Sequence, residues 1–179
     1  MNAMPSSDTL AERLKAIRLL LLDVDGVLTD GSIVYDDAGS EIKTFNVRDG
    51  LGVRLLMLAG IQVGIATGRR SKALLHRCAN LKITMIFDGL ASKSGVLAAI
   101  NAQAGISANE IAYIGDDLMD ISLMQKVGVS IAVADAHPLV ISAAHLVSSF
   151  PGGKGAVREV CEMILKARGL WDDMLLKVV

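Results

Sequence analysis

Two pairs of aspartates, each directly after a short apolar run, are the most chemically informative residues of the sequence. Asp23 and Asp25 follow one run, and Asp116 and Asp117 follow another much later in the chain. If the carboxylates meet, each pair at ~4 Å costs about 4 kcal/mol at an effective dielectric near ~20. A bound cation removes that cost, and oxygen ligands without nearby His or Cys select a hard ion such as Mg²⁺.

A hydroxyl and an ammonium group complete this set. Thr67 ends a third apolar run, and Lys93 stands near the start of a segment with helical periodicity. With Mg²⁺ and the backbone N–H groups around Gly26, they describe a pocket for a phosphoryl group, where electrostatic clamping carries most of the catalysis. We expect Asp23 to attack phosphorus as the nucleophile and Asp25, displaced where the strand opens into a loop, to act as general acid.

The rest of the sequence predicts how these residues are brought together. Short apolar runs alternate with amphipathic segments in a βαβα order, which right-handed crossovers convert into an α/β fold with a doubly wound, mostly parallel, Rossmann-like sheet. Ligands bind at the carboxyl ends of the strands in such a sheet, and the acids follow those ends. The predicted strands are residues 17–22, 61–66, 83–87, 111–114 and 129–133, and the predicted helices are residues 51–59, 71–79, 94–104, 118–126 and 156–169.

Two segments depart from this alternation. Residues 31–45 predict a β-hairpin inserted after the first strand, with its turn at residues 36–39. Residues 151–155 have the sequence Pro-Gly-Gly-Lys-Gly, which predicts a flexible hinge before the last helix.

The spacing of the candidate residues leaves no room for a large cap domain. Only 36 residues separate Asp30 from Thr67, and 25 separate Thr67 from Lys93. We therefore expect a single domain over residues 1–179, with a tail from about residue 170. Since controlled hydrolysis of an acyl phosphate needs bulk water kept out, we expect another subunit to supply the lid, with the hairpin as the assembling element.

Composition excludes several classes of protein. The 179 residues include 18 Lys and Arg against 19 Asp and Glu, and 52% are hydrophobic. These values exclude a disordered chain and give no basic surface for nucleic acid, so the expected partners are small molecules or copies of the same chain. Polar residues or Gly interrupt every apolar run before the ~18–20 residues of a membrane span, and residues 1–9 lack the features of a secretory signal. We expect a cytoplasmic protein without a membrane partner.

The ordered motifs resemble a known family. Residues 23–30 (DVDGVLTD), 67–69 (TGR), Lys93 and residues 115–117 (GDD) look like, in order, the four signatures of the haloacid dehalogenase-like phosphatases. Within that family, the chain resembles the phosphatases of 3-deoxy-D-manno-octulosonate 8-phosphate over roughly residues 17–168. The segments that carry this closer resemblance are the short hairpin and residues 46–50 (NVRDG), 133–138 (VADAHP) and 152–159 (GGKGAVRE).

The resemblance implies roles for the acidic residues. Mg²⁺ would be held by the Asp23 carboxylate, the Asp25 backbone carbonyl and Asp116. Thr67 and Lys93 would hold the phosphoryl oxygens, and Asp117 would orient Lys93. Sequence reasoning alone interprets Asp120 only as a supporting acid at a helix start, where it favours the macrodipole.

The resemblance also implies a recognition set for a sugar acid. Such a substrate carries a carboxylate as well as a phosphate, which arginine forks suit. Besides Asp25 and Lys93, the implied substrate-binding residues are Asn46, Val47, Arg48, Asp49, Gly50, Arg54, Arg69 and Arg77.

The implied activity is hydrolysis of 3-deoxy-D-manno-octulosonate 8-phosphate through an aspartyl-phosphate, by a Mg²⁺-dependent homotetramer in lipopolysaccharide precursor biosynthesis. A phosphatase for a sialic-acid-type nine-carbon sugar 9-phosphate is one alternative, because both substrates offer a carboxylate and a terminal phosphate. A phosphoaspartyl receiver domain is an alternative of a different class. It places its phosphorylated aspartate after the third strand and needs a long-lived phosphoryl group, whereas Asp25 would hasten the loss of that group.

Overall fold

The computed structural model describes residues 7–177 and shows a six-stranded parallel sheet flanked by helices, with a separate two-stranded hairpin. The strands are β1 (Leu19–Leu22), β2 (Val34–Tyr35), β3 (Glu41–Ile42), β4 (Gln62–Ala66), β5 (Met85–Phe87), β6 (Ile111–Gly115), β7 (Val129–Ala132) and β8 (Leu146–Val147). The helices are α1 (Ser7–Ala16), α2 (Val47–Leu58), α3 (Lys72–Leu81), α4 (Val96–Ala104), α5 (Ile121–Met124), α6 (Pro138–Ala143), α7 (Ala156–Ala167) and α8 (Trp171–Leu175). Three short 3₁₀ turns cover Lys93–Gly95, Ala108–Glu110 and Leu118–Asp120.

Strand β1 lies inside the sheet and sets the position of the predicted site. The strand order is β5-β4-β1-β6-β7-β8, and Leu22 at the end of β1 is in register with Ile65 of β4 and Ile114 of β6. All four residues of β1 are leucines that are fully buried, as expected for a strand covered on both faces. The predicted fold class is confirmed, and the residues that follow β1, β4 and β6 emerge at one edge of the sheet.

The predicted elements are present with shifted ends, and four others were not predicted. The five predicted core strands differ from the observed ones by one or two residues at an end. Residues 118–126 were predicted as one helix, but they form a 3₁₀ turn and the short helix α5. Sequence reasoning missed α1, α6, β8 and α8. Each is short or polar, so tertiary packing stabilises it and its sequence shows no clear apolar periodicity. No helix within residues 7–177 combines the length and the apolar character needed to cross a bilayer.

The glycine strap, residues 151–155, is fixed against the loop after β1, contrary to the predicted flexible hinge. A Cβ on Gly152 would lie 1.7 Å from the carbonyl oxygen of Gly26, so the two backbones touch with no room for a side chain. The Gly153 N–H donates to the Val27 carbonyl at 2.9 Å, and the Gly152 N–H donates to the Asp135 carboxylate at 2.9 Å. Because these backbone donors are satisfied, the strap is a packed part of the structure.

The segment from residue 170, expected as a tail, packs on α7. The ring of Trp171 lies 5.7 Å from the Arg158 guanidinium and 5.0 Å from the Lys166 ammonium, and Met174 is buried. Both cations lie at the distance typical of cation–π contacts. Leu170, Trp171 and Met174 of this segment therefore pack into the core of the sheet domain, whereas Leu176 is exposed.

The strap gives a prediction about stability. Gly152→Ala places a methyl group against Gly26, and overpacking of this kind costs about 1–3 kcal/mol in the free energy of unfolding. Urea denaturation measures this loss. Gly95→Ala is the matched control, because a Cβ there meets nothing within 4 Å and φ is −65°, so we expect it to stabilise by roughly 0.4–1 kcal/mol. Unchanged stability of the Gly152 variant would contradict the tight contact.

Candidate active site

The carboxyl ends of β1, β4 and β6 enclose a cavity of about 280 Å³. It brings together residues that the sequence places more than ninety positions apart, from the first acidic pair to the second. The cavity is lined by Asp23, Asp25, Gly31, Thr67, Gly68, Arg69, Lys93, Asp116, Asp117 and Met119. The predicted catalytic residues and metal ligands therefore share one site.

Asp23 lies at the bottom of this cavity. Its backbone N–H extends the β1 ladder by donating to the Ile114 carbonyl at 3.1 Å, and the residue is only 6% exposed. One carboxylate oxygen is 2.8 Å from the Lys93 ammonium. Burial raises the pKa of Asp23 to about 6, although Lys93 acts in the opposite direction by favouring the charged carboxylate. The ion pair orients the carboxylate predicted to be the nucleophile.

Thr67 is held rigidly at the end of β4. Its N–H donates to the Phe87 carbonyl at 2.9 Å, and its own carbonyl accepts from the Leu90 N–H at 3.1 Å. The residue is 2% exposed and lines the cavity, and its hydroxyl accepts only a long 3.4 Å bond from the Arg69 N–H. The hydroxyl hydrogen is therefore available to a ligand oxygen in the cavity.

Asp120, and not Asp117, orients Lys93, so the predicted role of Asp117 is wrong. Asp120 is fully buried and forms an ion pair with Lys93. Its two oxygens also accept from the Tyr113 hydroxyl at 2.5 Å and from the N–H groups of Asp116 at 2.8 Å and Asp117 at 3.1 Å. Asp120 thus does more than favour a helix dipole, because it connects Lys93 to the loop that carries Asp116.

Asp117 has a local role. Its side chain accepts from the Leu118 N–H at 2.8 Å and caps the 3₁₀ turn that follows β6. The spacing Asp117-x-x-Asp120 is that of a capping box, and it was the sequence signal that Asp120 turns back toward the loop.

Asp116 carries the strongest sign of a cation site. Its Oδ1 atom is buried without a hydrogen-bond partner. Burial, followed by the charges of Asp23 and Asp120, raises the pKa of Asp116 to about 8. Oxygens of the three carboxylates lie within 4.8 Å of one another. Because both Asp120 oxygens already accept hydrogen bonds, Asp23 and Asp116 are the available ligands, and this all-oxygen set fits Mg²⁺.

A close backbone approach keeps Asp116 in place. Gly26 has φ +83°, and a Cβ there would lie 2.0 Å from an Asp116 carboxylate oxygen. Glycine is required at this position both for its positive φ and for the space that Asp116 occupies. The loop that carries Asp25 therefore passes between Asp116 and the glycine strap.

The hairpin contributes polar side chains to the site that sequence reasoning missed. Lys43 forms ion pairs with Asp25 Oδ1 and, at 3.0 Å, with Glu41. Glu41 also accepts from Arg69 at 2.9 Å, and Arg69 donates to the Tyr35 hydroxyl at 3.3 Å. Glu41 and Lys43 are two residues apart in an extended segment, so they share a face, which was the available signal.

The predicted recognition residues separate into different places. Arg69 lines the catalytic cavity, but Arg54 and Arg77 line another cavity of about 280 Å³ with Val47 and Gly50. The two cavities share no lining residue in the described part of the chain. The residues of the recognition set therefore do not all line one cavity within one chain.

Arg48 also lies apart from the catalytic cavity. It lines a third cavity, of about 450 Å³, beside α7.

Asn46 and Asp49 hold secondary structure in place. Asn46 caps α2 by accepting from the Arg48 N–H at 2.8 Å, and its amide donates to the Gly153 carbonyl at 3.2 Å. Asp49 is buried and accepts from the Arg158 N–H at 2.8 Å, at the start of α7. The structure thus gives Asp49 a capping position between two helices rather than one in the catalytic cavity.

A comparison with protein families gives the class. The family described as haloacid dehalogenase-like hydrolase matches residues 80–158, which include Lys93 and the Asp116 loop. The six-stranded parallel sheet, the acidic cluster and the buried lysine agree with that class.

Comparisons with individual proteins narrow the class further. The 3-deoxy-D-manno-octulosonate 8-phosphate phosphatase KdsC of Escherichia coli K12 is 48% identical over 168 residues, which is 94% of this chain and 89% of the relative. The crystal structure of the corresponding phosphatase of Yersinia pestis has a TM-score of 0.90 at 47% identity, covering 92% of this chain and 89% of that one. The chain belongs to the KdsC family of haloacid dehalogenase-like hydrolases.

A further relative has been solved with ligands. The phosphatase of Moraxella catarrhalis, crystallised in complex with magnesium ion, phosphate ion and KDO, has a TM-score of 0.93 at 37% identity and covers 97% of this chain and 99% of that one. Its magnesium agrees with the ion that the oxygen donors around Asp116 fit.

The corrected role of Asp120 is testable by stability. Asp120→Ala leaves Lys93 and the Tyr113 hydroxyl buried with one partner fewer, which we expect to cost about 3–5 kcal/mol in the free energy of unfolding. Asp117→Ala removes one cap from an exposed turn and should cost about 1 kcal/mol. Chemical denaturation of both variants gives the comparison. An equal or larger loss for the Asp117 variant would contradict the central position assigned to Asp120.

Proposed function

We propose that this protein is a Mg²⁺-dependent phosphatase that hydrolyses 3-deoxy-D-manno-octulosonate 8-phosphate to the free sugar acid and phosphate. The observation that carries the proposal is the Asp23 carboxylate, ion-paired to Lys93 and adjacent to the unpartnered Asp116 oxygen, at the bottom of a cavity with Thr67. The relatives named for this activity, and the relative crystallised with KDO, support the choice of substrate.

In the first step, an Asp23 oxygen attacks phosphorus and the ester P–O bond breaks. The departing alkoxide takes a proton from Asp25, and the sugar acid leaves as the free alcohol. Lys93 and the Thr67 hydroxyl bind the phosphoryl oxygens from fixed positions. Mg²⁺, held by Asp23, Asp116 and the Asp25 carbonyl, supplies positive charge that offsets the charge of the phosphoryl oxygens.

In the second step, a water molecule gives a proton to Asp25, and the oxygen of that water attacks the phosphorus of the aspartyl-phosphate. The bond from phosphorus to the Asp23 oxygen breaks, which frees the carboxylate and releases orthophosphate. Asp25 is protonated again and ready for the next ester. Because Asp25 promotes hydrolysis of the aspartyl-phosphate, the site favours an enzyme. A receiver domain needs an aspartyl-phosphate that lasts.

The residue assignments lead to a substrate and metal screen. Phosphate release is measured for 3-deoxy-D-manno-octulosonate 8-phosphate and for a sialic-acid-type 9-phosphate, with and without Mg²⁺. We expect Mg²⁺-dependent turnover that is faster on the eight-carbon ester. Asp23→Asn should lower turnover by at least about 10³-fold, because the amide is not a nucleophile.

Asp37→Asn is the control for that screen, because Asp37 is exposed in the hairpin turn. It should keep wild-type turnover. Turnover of the Asp23 variant at the wild-type rate would refute the nucleophile assignment, and faster hydrolysis of the nine-carbon ester would replace the proposed substrate.

We propose that the enzyme assembles as a homotetramer in which a neighbouring subunit closes the site through the hairpin. An isolated two-stranded hairpin is marginally stable, yet here the paired residues Val34 and Ile42 are 49% and 52% exposed. Arg54 and Arg77 lie outside their own chain's catalytic cavity and are available to a neighbouring copy. Both features favour assembly through copies of the same chain.

The wider setting follows from the family resemblance. We propose that residues 1–179 form one domain, and that the enzyme acts in the cytoplasm in lipopolysaccharide precursor biosynthesis. The shared core of the sheet and α8 supports the single domain.

Assembly is tested by sedimentation velocity. Val34→Glu puts a charge on the exposed apolar side of the hairpin, and we expect it to dissociate the tetramer and to reduce turnover. Leu139→Glu, which changes a similarly exposed leucine on α6, is the control and should leave the assembly intact. A wild-type protein that sediments as a fully active monomer would refute the proposal.

A further inference from the structure

We propose that Lys43 is a positioning residue for the general acid and base, and that it acts by holding one oxygen of Asp25 so that the other faces the reacting atoms. The inference depends on the proposed phosphatase function and adds to it a hairpin residue with a defined task. Three observations support this proposal: the contacts of Lys43, the burial of its side chain and the different partners of the two Asp25 oxygens.

The two oxygens of Asp25 have different surroundings. Oδ1 accepts a hydrogen bond from the Lys43 ammonium and forms an ion pair with it. Oδ2 is buried without a hydrogen-bond partner, and its nearest ion-pair contact is the Arg69 Nε atom at 3.5 Å. A carboxylate fixed through one oxygen keeps its other oxygen in a constant place, which is the requirement for proton exchange with both a leaving group and a water molecule.

The ion pair between Lys43 and Asp25 is buried in the fold and is not a chance contact on the surface. The Lys43 side chain is 1% exposed, so its ammonium has lost nearly all contact with water. A buried ammonium is costly unless carboxylates compensate it, and Lys43 has two, Asp25 and Glu41. Glu41 is in turn fixed by Arg69 at 2.9 Å. The ammonium is therefore held by a second, fixed carboxylate besides Asp25.

Lys43 does not reach the cavity that would hold the phosphoryl group. The residues lining that cavity include Asp25 and Lys93 but not Lys43. A lysine that bound phosphate directly would have to line it, as Lys93 does. Lys43 therefore affects the reaction only through Asp25, as a positioning residue does.

The proposal predicts a selective loss of activity. In the first step, the alkoxide of a sugar phosphate must take the Asp25 proton as the P–O bond breaks, whereas 2,4-dinitrophenolate leaves without one. The ratio kcat/KM reports this step because it includes events only up to loss of the leaving group. Lys43→Met should lower kcat/KM by about 10²-fold on the sugar phosphate and by less than about threefold on 2,4-dinitrophenyl phosphate.

Matched variants separate positioning from general damage. Lys43→Arg keeps a cation in the same place and should restore much of the sugar-phosphate activity. Lys126 is an exposed lysine in the turn after α5, and Lys126→Met should leave kcat/KM unchanged on both esters. If Lys43→Met does not fold, as judged by circular dichroism, Lys43→Gln takes its place with the same expected selectivity.

A double-mutant cycle tests the route through Asp25. Asp25→Asn should show the same selective loss, and adding Lys43→Met to it should have no further selective effect. Equal losses on both esters, no loss on either, or additive losses in the double variant would overturn the role of Lys43 and leave the phosphatase standing. Failure of the wild-type protein to cleave either ester would overturn the proposed function, and with it the role of Lys43.

Discussion

The structure depends on a charge imbalance at one edge of its sheet. Asp23, Asp116 and Asp120 bring three carboxylates within 4.8 Å of one another, and Lys93 supplies one ammonium among them. Fully ionised, the group has two uncompensated negative charges, which is the charge that one divalent cation balances. Burial, together with the charges of Asp23 and Asp120, raises the pKa of Asp116 to about 8, so the proton and a cation compete for the same carboxylate. Metal binding and proton release are therefore linked at this site.

Close backbone packing turns this imbalance into a defined geometry. Gly26 passes between Asp116 on one side and Gly152 on the other, and neither contact leaves room for a Cβ. A carboxylate that could retreat from its neighbours would relieve the repulsion by moving apart. The glycine strap prevents that movement by fixing the loop on which Asp25 stands, so the acids stay close enough to share one cation.

The sequence predicted the parts of the site that depend on the ends of strands. Asp23, Thr67 and Asp116 could be placed together because parallel strands bring their carboxyl ends to one edge. The role of Asp120 was missed because it depends on a 3₁₀ turn that points the side chain back under β6, toward Lys93. Periodicity finds neither such a turn nor a contact between distant segments.

The recognition set shows a different limit. Resemblance identified Arg54 and Arg77 as members, but one chain places them away from its own cavity. The resemblance lists residues without saying which cavity each one lines, and that depends on how the chain folds around α2 and α3. The fold of the single domain was therefore easier to predict from the sequence than the surface that would select its substrate.

The register of the hairpin determines which side chains reach the active site and which are exposed. In the ladder, Val34 is paired with Ile42, and Tyr35 with Glu41. The first pair is exposed and apolar, while Glu41 and Lys43 belong to the face that reaches Arg69 and Asp25. Because side chains alternate along a strand, a slip of one residue would exchange these faces.

The turn opposes such a slip. The Asp36 side chain accepts from the Ser40 N–H at 2.7 Å, and the Asp36 carbonyl accepts from the Gly39 N–H at 2.9 Å. These bonds fix the loop length and with it the register. The hairpin turn thus decides both that the apolar pair Val34 and Ile42 is exposed and that the Lys43 ammonium reaches Asp25. Any change that altered the register would disturb the two together.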